Sequence, residues 1–185
     1  MSREWSIMLG VIAERRKSVS KWAEDYWIPV GVMLAPAELE AGDVMVRTEG
    51  MTRYYMGRRE MTCHAADMEA YIENFDSGAP ALYVVLRQDL DGEGALPWYV
   101  QSVTASPHEA QDYEVGATDL VERVAMPPEI EAELRAFMAR HYAPQEFRKR
   151  RRDSVRVEDH KFGKEPIFLR RSRPADEGDG GESDG

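Results

Sequence analysis

One pair of adjacent residues, Cys63 and His64, has side chains that suit metal binding or nucleophilic chemistry. A zinc site needs several thiolate or imidazole ligands at close spacing. Neighbouring residues of a strand point to opposite faces, so these two side chains could not easily ligate one ion. The pair is typical of a buried thiol beside a surface histidine, and the other histidines stand alone, at His108, His141 and His160. The residues therefore predict no metal site.

Carboxylates and glycines offer two further kinds of chemistry. Glu69 and Glu73 lie one turn apart if their segment is helical, but no basic partner accompanies them, as is typical of a solvated face. Gly92-Glu-Gly94 could approach a phosphate, yet it is acidic and precedes a strand rather than a helix, which favours a hairpin loop. The sequence has no Gly-x-Ser-x-Gly nucleophile motif. We therefore predict no catalytic residue.

Two groups of cations could bind anions. Arg15, Arg16 and Lys17 follow an apolar run, and we take them as candidate residues for an anionic ligand or cofactor. A second run follows Phe147 and could bind nucleic acid, an acidic protein or anionic lipid, or be a solvated extension. Residues 1–144 hold 24 acids against 13 Lys and Arg, which disfavours DNA binding by the domain itself. The candidate partner-binding residues of this run are Phe147, Arg148, Lys149, Arg150 and Arg152.

Three aromatic residues, Trp22, Tyr26 and Trp27, lie close together in the sequence. Their spacings of four and five residues would bring them together on a helix, with acids and a lysine on the polar side. Two interpretations remain open. The rings form a hydrophobic cluster that closes one end of a sheet, or they form an exposed docking surface with Trp22 and Trp27 as its candidate contacts.

Hydrophobic patterning predicts the elements that position these side chains. Short apolar or alternating runs predict strands at 7–13, 30–34, 44–48, 82–87, 98–104 and 120–125, and a hairpin within 53–64 around Gly57. Helical spacing is present at 65–75, and Ser106-Pro107-His108-Glu109 is a capping box that starts a short helix to about Tyr113. The best helical stripe starts at Pro127-Pro128 and continues to about Tyr142. We expect an α+β fold, an antiparallel or mixed sheet packed by one long C-terminal helix, with a short second helix.

Charge divides the chain into three regions. Residues 1–144 are expected to form one acidic globular domain, residues 145–173 a basic extension with 11 basic and five acidic residues, and residues 174–185 a disordered tail with five acids and no cation. The single cysteine excludes an internal disulfide and favours a reducing compartment. The longest apolar run, Ile7–Ala13, is too short to cross a bilayer, and no signal-peptide cleavage site follows it. A soluble cytoplasmic protein is therefore expected.

Short motifs along most of the chain carry a family resemblance. They are Glu14-Arg15-Arg16, Ser20-Lys-Trp22, Trp27-x-Pro29-Val30, Tyr71-x-x-Asn74, Pro80-x-x-Tyr83-Val84, Ser106-Pro-x-Glu109-Ala110, Met126-Pro127, His141 and Phe147-x-Lys149-Arg150-x-Arg152. Together, over about residues 7–152, they resemble a proteobacterial family of unknown function associated with formate dehydrogenase gene clusters. Some of its members are labelled molybdopterin-guanine dinucleotide biosynthesis protein A.

The resemblance implies a non-enzymatic accessory protein in the assembly, maturation or regulation of a molybdenum- or tungsten-dependent formate dehydrogenase. Its implied partner is a dehydrogenase subunit or a maturation factor. The biosynthesis label fits the residues poorly, because the guanylyltransferase needs a Leu-Ala-Gly-Gly loop and Leu9-Gly-Val-Ile-Ala-Glu14 has one glycine. Two alternatives stay open: a molybdenum cofactor biosynthesis or carrier protein that contacts molybdopterin transiently through Arg15, Arg16 and Lys17, and a nucleic-acid-binding regulator that uses the basic run. No intrinsic cofactor and no membrane partner are expected, and the oligomeric state is left open.

Overall fold

The computed structural model describes residues 2–20, 22, 24–116 and 118–142. Within these residues the chain forms seven strands, three α-helices and a 3-10 turn. In chain order they are β1 (Glu4–Arg16), β2 (Tyr26–Leu34), β3 (Val44–Arg47), β4 (Met51–His64), the 3-10 turn (Ala65–Asp67), α1 (Met68–Asp76), β5 (Ala81–Gln88), β6 (Trp98–Thr104), α2 (Pro107–Val115), β7 (Asp119–Ala125) and α3 (Pro128–His141).

The strands form two sheets in which every neighbouring pair is antiparallel. One sheet has the order β2-β1-β4-β3, and the other has the order β6-β5-β7. The sheets approach each other on both sides, because β4 lies beside β6 and β2 lies beside β7. Their inner faces therefore enclose one core, which α3 completes with Ile130, Leu134 and Phe137.

Alternation along β1 separates the two faces of the four-stranded sheet. Leu9, Val11 and Ala13 are fully buried on the inner face. The residues between them, such as Gly10 and Ile12, point to the outer face. Gly10 is needed there because a Cβ at this position would lie 2.6 Å from the ring of Tyr55. The outer face thus has its own close packing near the middle of β1.

The hairpin predicted around Gly57 is wrong, because 51–64 is one continuous strand. Gly57 pairs with Val11 of β1, and the register shifts between Val11 and Ile12, which marks a β-bulge. The φ of Gly57 is +106°, a conformation that glycine adopts without the steric penalty of a side chain. Gly57 therefore permits a β-bulge in β4 and does not form a hairpin turn.

Several local predictions are confirmed. The segments 82–87 and 98–104 pair as the antiparallel strands β5 and β6. The Ser106 side chain accepts a hydrogen bond from the Glu109 backbone N–H at 3.2 Å, which caps α2 at its N-terminus. The Glu109 carboxylate does not complete the box. It accepts from the Thr104 hydroxyl, which itself accepts from the Ser106 N–H. Three hydrogen bonds therefore link Thr104, Ser106 and Glu109 at this cap.

The predicted α+β class, with one sheet packed by a long C-terminal helix, is wrong. Strands dominate the described residues, and they form two sheets. All three helices are short, and the longest, α3, has 14 residues, the same length as β4. The physical reason is that two facing sheets bury each other's inner faces, so a long covering helix is not required. The arginines at 15 and 16, which suggested a strand end, continue β1 instead.

The predicted basic extension at 145–173 and acidic tail at 174–185 lie outside the described residues, and so do Phe147, Arg148, Lys149, Arg150 and Arg152. Among the helices that are described, none has the length and apolar character needed to cross a bilayer.

Candidate protein-docking site

The connection between β1 and β2 displays apolar side chains to solvent. Trp22 is 97% exposed, and Val19 in the same connection is fully exposed. Serine hydroxyls organise the backbone, since Ser18 accepts from the Ser20 N–H and Ser20 accepts from the Trp22 N–H. A fully exposed tryptophan is rare, because burying such a ring is favourable. Two described apolar residues of this connection, Val19 and Trp22, are therefore exposed.

Tyr26 and Trp27 do not join Trp22 on a helix. Both belong to β2, so their side chains point to opposite faces of the four-stranded sheet. Trp27 packs on Tyr54, with ring centroids 5.2 Å apart, and contacts the core. Tyr26 lies on the outer face and is 48% exposed. The two interpretations of the aromatic segment therefore apply to different residues: Trp27 closes the sheet end, whereas Trp22 is exposed.

The cations Arg15, Arg16 and Lys17 do not converge on one point. Arg15 is paired with Asp25 at 2.8 Å on the inner side of the sheet end, and this hydrogen bond raises the pKa of the guanidinium. Arg16 is paired with Glu14 on the outer face at 2.7 Å. Lys17 is exposed, and its backbone N–H donates to the Gly50 carbonyl. The three cations therefore do not form one shared anion site.

Glu14 is a buried carboxylate on the outer face of the sheet. Its side chain is 4% exposed and contacts two guanidiniums, those of Arg16 and Arg53. Arg53 donates from Nε at 3.0 Å and from a terminal nitrogen at 2.6 Å to the same oxygen. Burial opposes ionisation, but the hydrogen bonds from Arg53 and Arg16 outweigh it and hold the pKa of Glu14 below its ordinary value.

A cleft of about 630 Å³ opens on the inner side of this sheet end. Its lining combines aromatic and apolar residues with charged ones. The lining includes Arg15, Glu24, Asp25, Trp27, Tyr54 and Leu96. The Arg15–Asp25 pair already joins opposite charges in this lining. The cleft can accept a flat or apolar side chain against Trp27, and Glu24 leaves its charged lining with one acid in excess.

A second cleft, of about 670 Å³, lies between β4, α1, β6 and α2. It contains both described histidines of this region, and each has a carboxylate beside it: His64 lies 3.3 Å from Glu4, and His108 lies 2.9 Å from Glu73. Over the described ranges, no three His, Cys, Asp or Glu side chains come close enough together to hold a metal ion. The cleft is acidic and polar.

Cys63 is 1% exposed and faces the core, whereas His64 is exposed, as their adjacent positions on a strand predicted. Burial raises the pKa of the Cys63 thiol to about 12. The thiolate is the nucleophilic form of cysteine, and it is almost absent at neutral pH with such a pKa. Cys63 is therefore a packing residue.

Sequence reasoning missed the partner of Glu14. Arg53 is 39 residues away in the chain and comes into contact only because it lies directly opposite Glu14 in the β1–β4 ladder. One signal was available. Glu14 continues an apolar strand, and a carboxylate in such a strand needs a cationic partner if it is buried. The identity of that partner could not be read from local spacing.

Comparison with known protein families gives a match over most of the chain. A family model described as Protein of unknown function (DUF3305) matches residues 8–151. No curated protein matches the chain significantly. No solved structure matches it significantly either.

Proposed function

The chain belongs to the DUF3305 family, and from this premise we propose that it is a non-catalytic accessory protein that docks onto another protein in the cytoplasm. We further propose that the partner is a subunit of a molybdenum- or tungsten-dependent formate dehydrogenase, or one of its maturation factors. The partner's identity is supported by the resemblance of the sequence motifs alone. The mode of action is supported by the structure of the β1–β2 connection.

The observation that carries the docking role is the exposure of Trp22. This residue is 97% exposed and lies near the fully exposed Val19, and Tyr26, at the start of β2, is about half exposed. Tryptophan, tyrosine and arginine are the residues most enriched among those that dominate binding energy at protein interfaces. Arg16 precedes the connection directly and is 42% exposed. The composition of this surface supports a docking role.

Co-purification from cells that produce the dehydrogenase tests the proposal. Replacement of Trp22 by Ala removes the exposed ring, and we expect the recovered dehydrogenase or maturation factor to fall about tenfold or more. The matched control is Val115→Ala on α2, because Val115 is also exposed, at 86%, but lies on another element. Both variants should melt within error of the parent, since neither side chain is buried.

Equal recovery with Trp22→Ala and with the parent would contradict docking through this connection. Recovery of neither dehydrogenase subunits nor their maturation factors with the parent would contradict the proposed partner. A loss that occurs equally with Val115→Ala would indicate a general defect and would also count against the assignment of the surface.

A further inference from the structure

The outer face of the four-stranded sheet carries a patch of arginine and apolar side chains next to the Trp22 connection. Residues opposite each other in a ladder share a face, which defines its two rows. Tyr26, Arg16 and Met51 form the first row, and Ile28, Glu14, Arg53 and Val46 form the second. We call the six surface residues around Glu14 the outer patch: Arg16, Tyr26, Ile28, Val46, Met51 and Arg53.

The outer patch is open to solvent although its central carboxylate is not. Tyr26 and Val46 are 48% and 41% exposed, and the side chains of Arg16 and Arg53 are 42% and 39% exposed. Ile28 and Met51 are partly buried between them. Glu14 lies beneath the arginines with 4% of its side chain exposed. Two half-exposed guanidiniums are therefore held in place from below.

Glu14 orients both guanidiniums without using all their donors. Arg16 and Arg53 each direct Nε and one terminal nitrogen to it. Among the residues that the structure describes, the second terminal nitrogen of Arg53 has no hydrogen-bond partner. An arginine fixed in its bound geometry loses less side-chain entropy when it binds an anion, because its rotamer is already selected. The arrangement is a preorganised donor group.

The charge of the outer patch is opposite to that of the domain. Two cations and one buried anion leave a net positive charge at this point, whereas residues 1–144 hold 24 acids against 13 Lys and Arg. Charges separated by more than about 8–10 Å are screened at physiological salt, so a small anionic group that contacts the patch responds to the local charge. A long polyanion or an anionic membrane would also meet the surrounding acids. The charges favour a short acidic group with apolar neighbours.

We propose that the outer patch binds an acidic side chain of the partner protein, presented on an apolar extended segment. The carboxylate accepts hydrogen bonds from Arg53 and Arg16, and its apolar neighbours cover Ile28, Met51 and Val46. Arginine donates to carboxylates in a planar, paired geometry, which makes the contact specific as well as attractive. This inference rests on the proposed docking function. It states which chemical groups of the partner contact the outer patch.

A titration with short capped peptides tests the patch on the purified full chain. The probe is N-acetyl-Leu-Glu-Leu-amide, and the matched probe has Gln in place of Glu. The readout is the NMR signal of the arginine Nε–H groups. We expect the Glu peptide to shift the Arg16 and Arg53 signals and to bind at least about threefold more tightly than the Gln peptide, an advantage that high salt reduces.

Two substitutions should change the affinity for the Glu peptide in opposite directions. Arg53→Gln removes donors and a positive charge, and we expect about threefold weaker binding. Glu14→Gln keeps an amide oxygen that can accept from both guanidiniums and so hold them in place, but it removes the competing negative charge, and we expect binding about twofold tighter or more. A merely structural role for the cluster would weaken binding in both variants. Arg135→Gln, which breaks the exposed Arg135–Glu131 pair on α3, is the control and should not change the affinity.

Arg16→Gln serves as a second donor variant if Arg53→Gln proves unstable to heat. Equal binding of the Glu and Gln peptides, or weaker binding by Glu14→Gln, would overturn the inference. Shifts caused by inorganic phosphate but not by the Glu peptide would also overturn it, because the patch would then be a general anion site. The titration contains no dehydrogenase, so it can fail while Trp22→Ala still abolishes co-purification, and the reverse can also occur.

Discussion

Glu14 shows how a single residue joins stability to surface chemistry. Transfer of a carboxylate from water to a buried position is unfavourable unless cations and hydrogen bonds compensate. Here Arg16 and Arg53 compensate, and the result is a pKa below the ordinary value of a glutamate. Removing one partner of a buried ion pair is strongly destabilising, whereas replacing the charge by an amide of the same shape removes the interaction more gently.

The lowered pKa of Glu14 predicts a pH dependence of stability. A carboxyl that is more acidic in the folded state stabilises that state above its unfolded pKa, about 4.3 for Glu, and the contribution is lost as pH falls through the folded pKa. Urea unfolding of the parent and of Glu14→Gln should therefore differ most near neutral pH and converge in strong acid. A difference that grows as the pH falls would contradict the lowered pKa.

The Cys63 thiol should be unreactive in the folded protein. It is 1% exposed, and burial raises its pKa to about 12, so both access and thiolate formation are suppressed. We expect a thiol reagent at pH 8 to modify the native chain at the rate of global or local opening and to modify the urea-unfolded chain rapidly. Fast stoichiometric modification under native conditions would show that Cys63 is accessible.

At the scale of elements, β4 depends on two glycines that have different roles. Gly57 provides the φ of +106° that the bulge requires. Gly10, on the neighbouring strand, leaves space for the ring of Tyr55, which is fully buried. The Tyr55 hydroxyl has no hydrogen-bond partner within the described part of the chain. The close packing around the bulge therefore relies on backbone geometry and shape.

Gly57→Ala should destabilise the domain by about 1–3 kcal/mol, because a side chain rarely adopts this φ and the new Cβ would lie 3.2 Å from the Ala41 Cβ. Gly50→Ala is the matched control. A Cβ at Gly50 would meet no atom within 4 Å, so its effect should stay within about 0.5 kcal/mol. Chemical denaturation of both variants measures the difference, and equal stability would show that β4 does not need the bulge geometry.

The N-terminal cap of α2 is a contribution to stability that depends on the side chain of Ser106. Ser106 accepts from the Glu109 N–H and is 6% exposed, so Ser106→Ala leaves this N–H without its partner. We expect a loss of about 1 kcal/mol in the free energy of unfolding, with the fold retained. Ser106→Asp should retain more stability than the alanine variant, because Asp is also an effective capping residue. No loss of stability in Ser106→Ala would indicate that the cap contributes nothing.

At the scale of the molecule, the two sheets depend on one shared core. Their inner faces are continuous because β4 lies beside β6 and β2 beside β7. Leu9 of one sheet and Leu86 of the other belong to the same cluster of buried side chains. A sheet with an exposed inner face would lose most of its apolar burial, so neither sheet is expected to persist alone.

Leu9→Ala and Leu86→Ala should therefore lower the same unfolding transition, each by about 2–5 kcal/mol. Both side chains are fully buried, so the comparison is matched in exposure as well as in residue type. Far-UV circular dichroism, which reports strands, and tryptophan fluorescence should give coincident curves. Two separate transitions, one of which responds to a single variant, would show that the sheets unfold independently.

The sequence by itself determined the features that depend on residues close together in the chain. The capping residue Ser106, the β5–β6 hairpin and the opposite faces of Cys63 and His64 follow from spacings of a few residues, because side-chain direction and local hydrogen bonds act over that range. The starts of β3 and α3 were also set by local signals, a turn before Val44 and a proline pair before Glu129.

Only the tertiary structure decided how distant segments meet. The register of β1 against β4 places Arg53 beside Glu14, 39 residues away, and turns Gly57 into a bulge where local rules predicted a hairpin. The closure of two sheets around one core replaced the expected covering helix. The same closure places Trp27 against the core, whereas Trp22 remains exposed to solvent. Pairing partners and sheet closure depend on long-range register and on shared burial, and short-range periodicity does not contain that information.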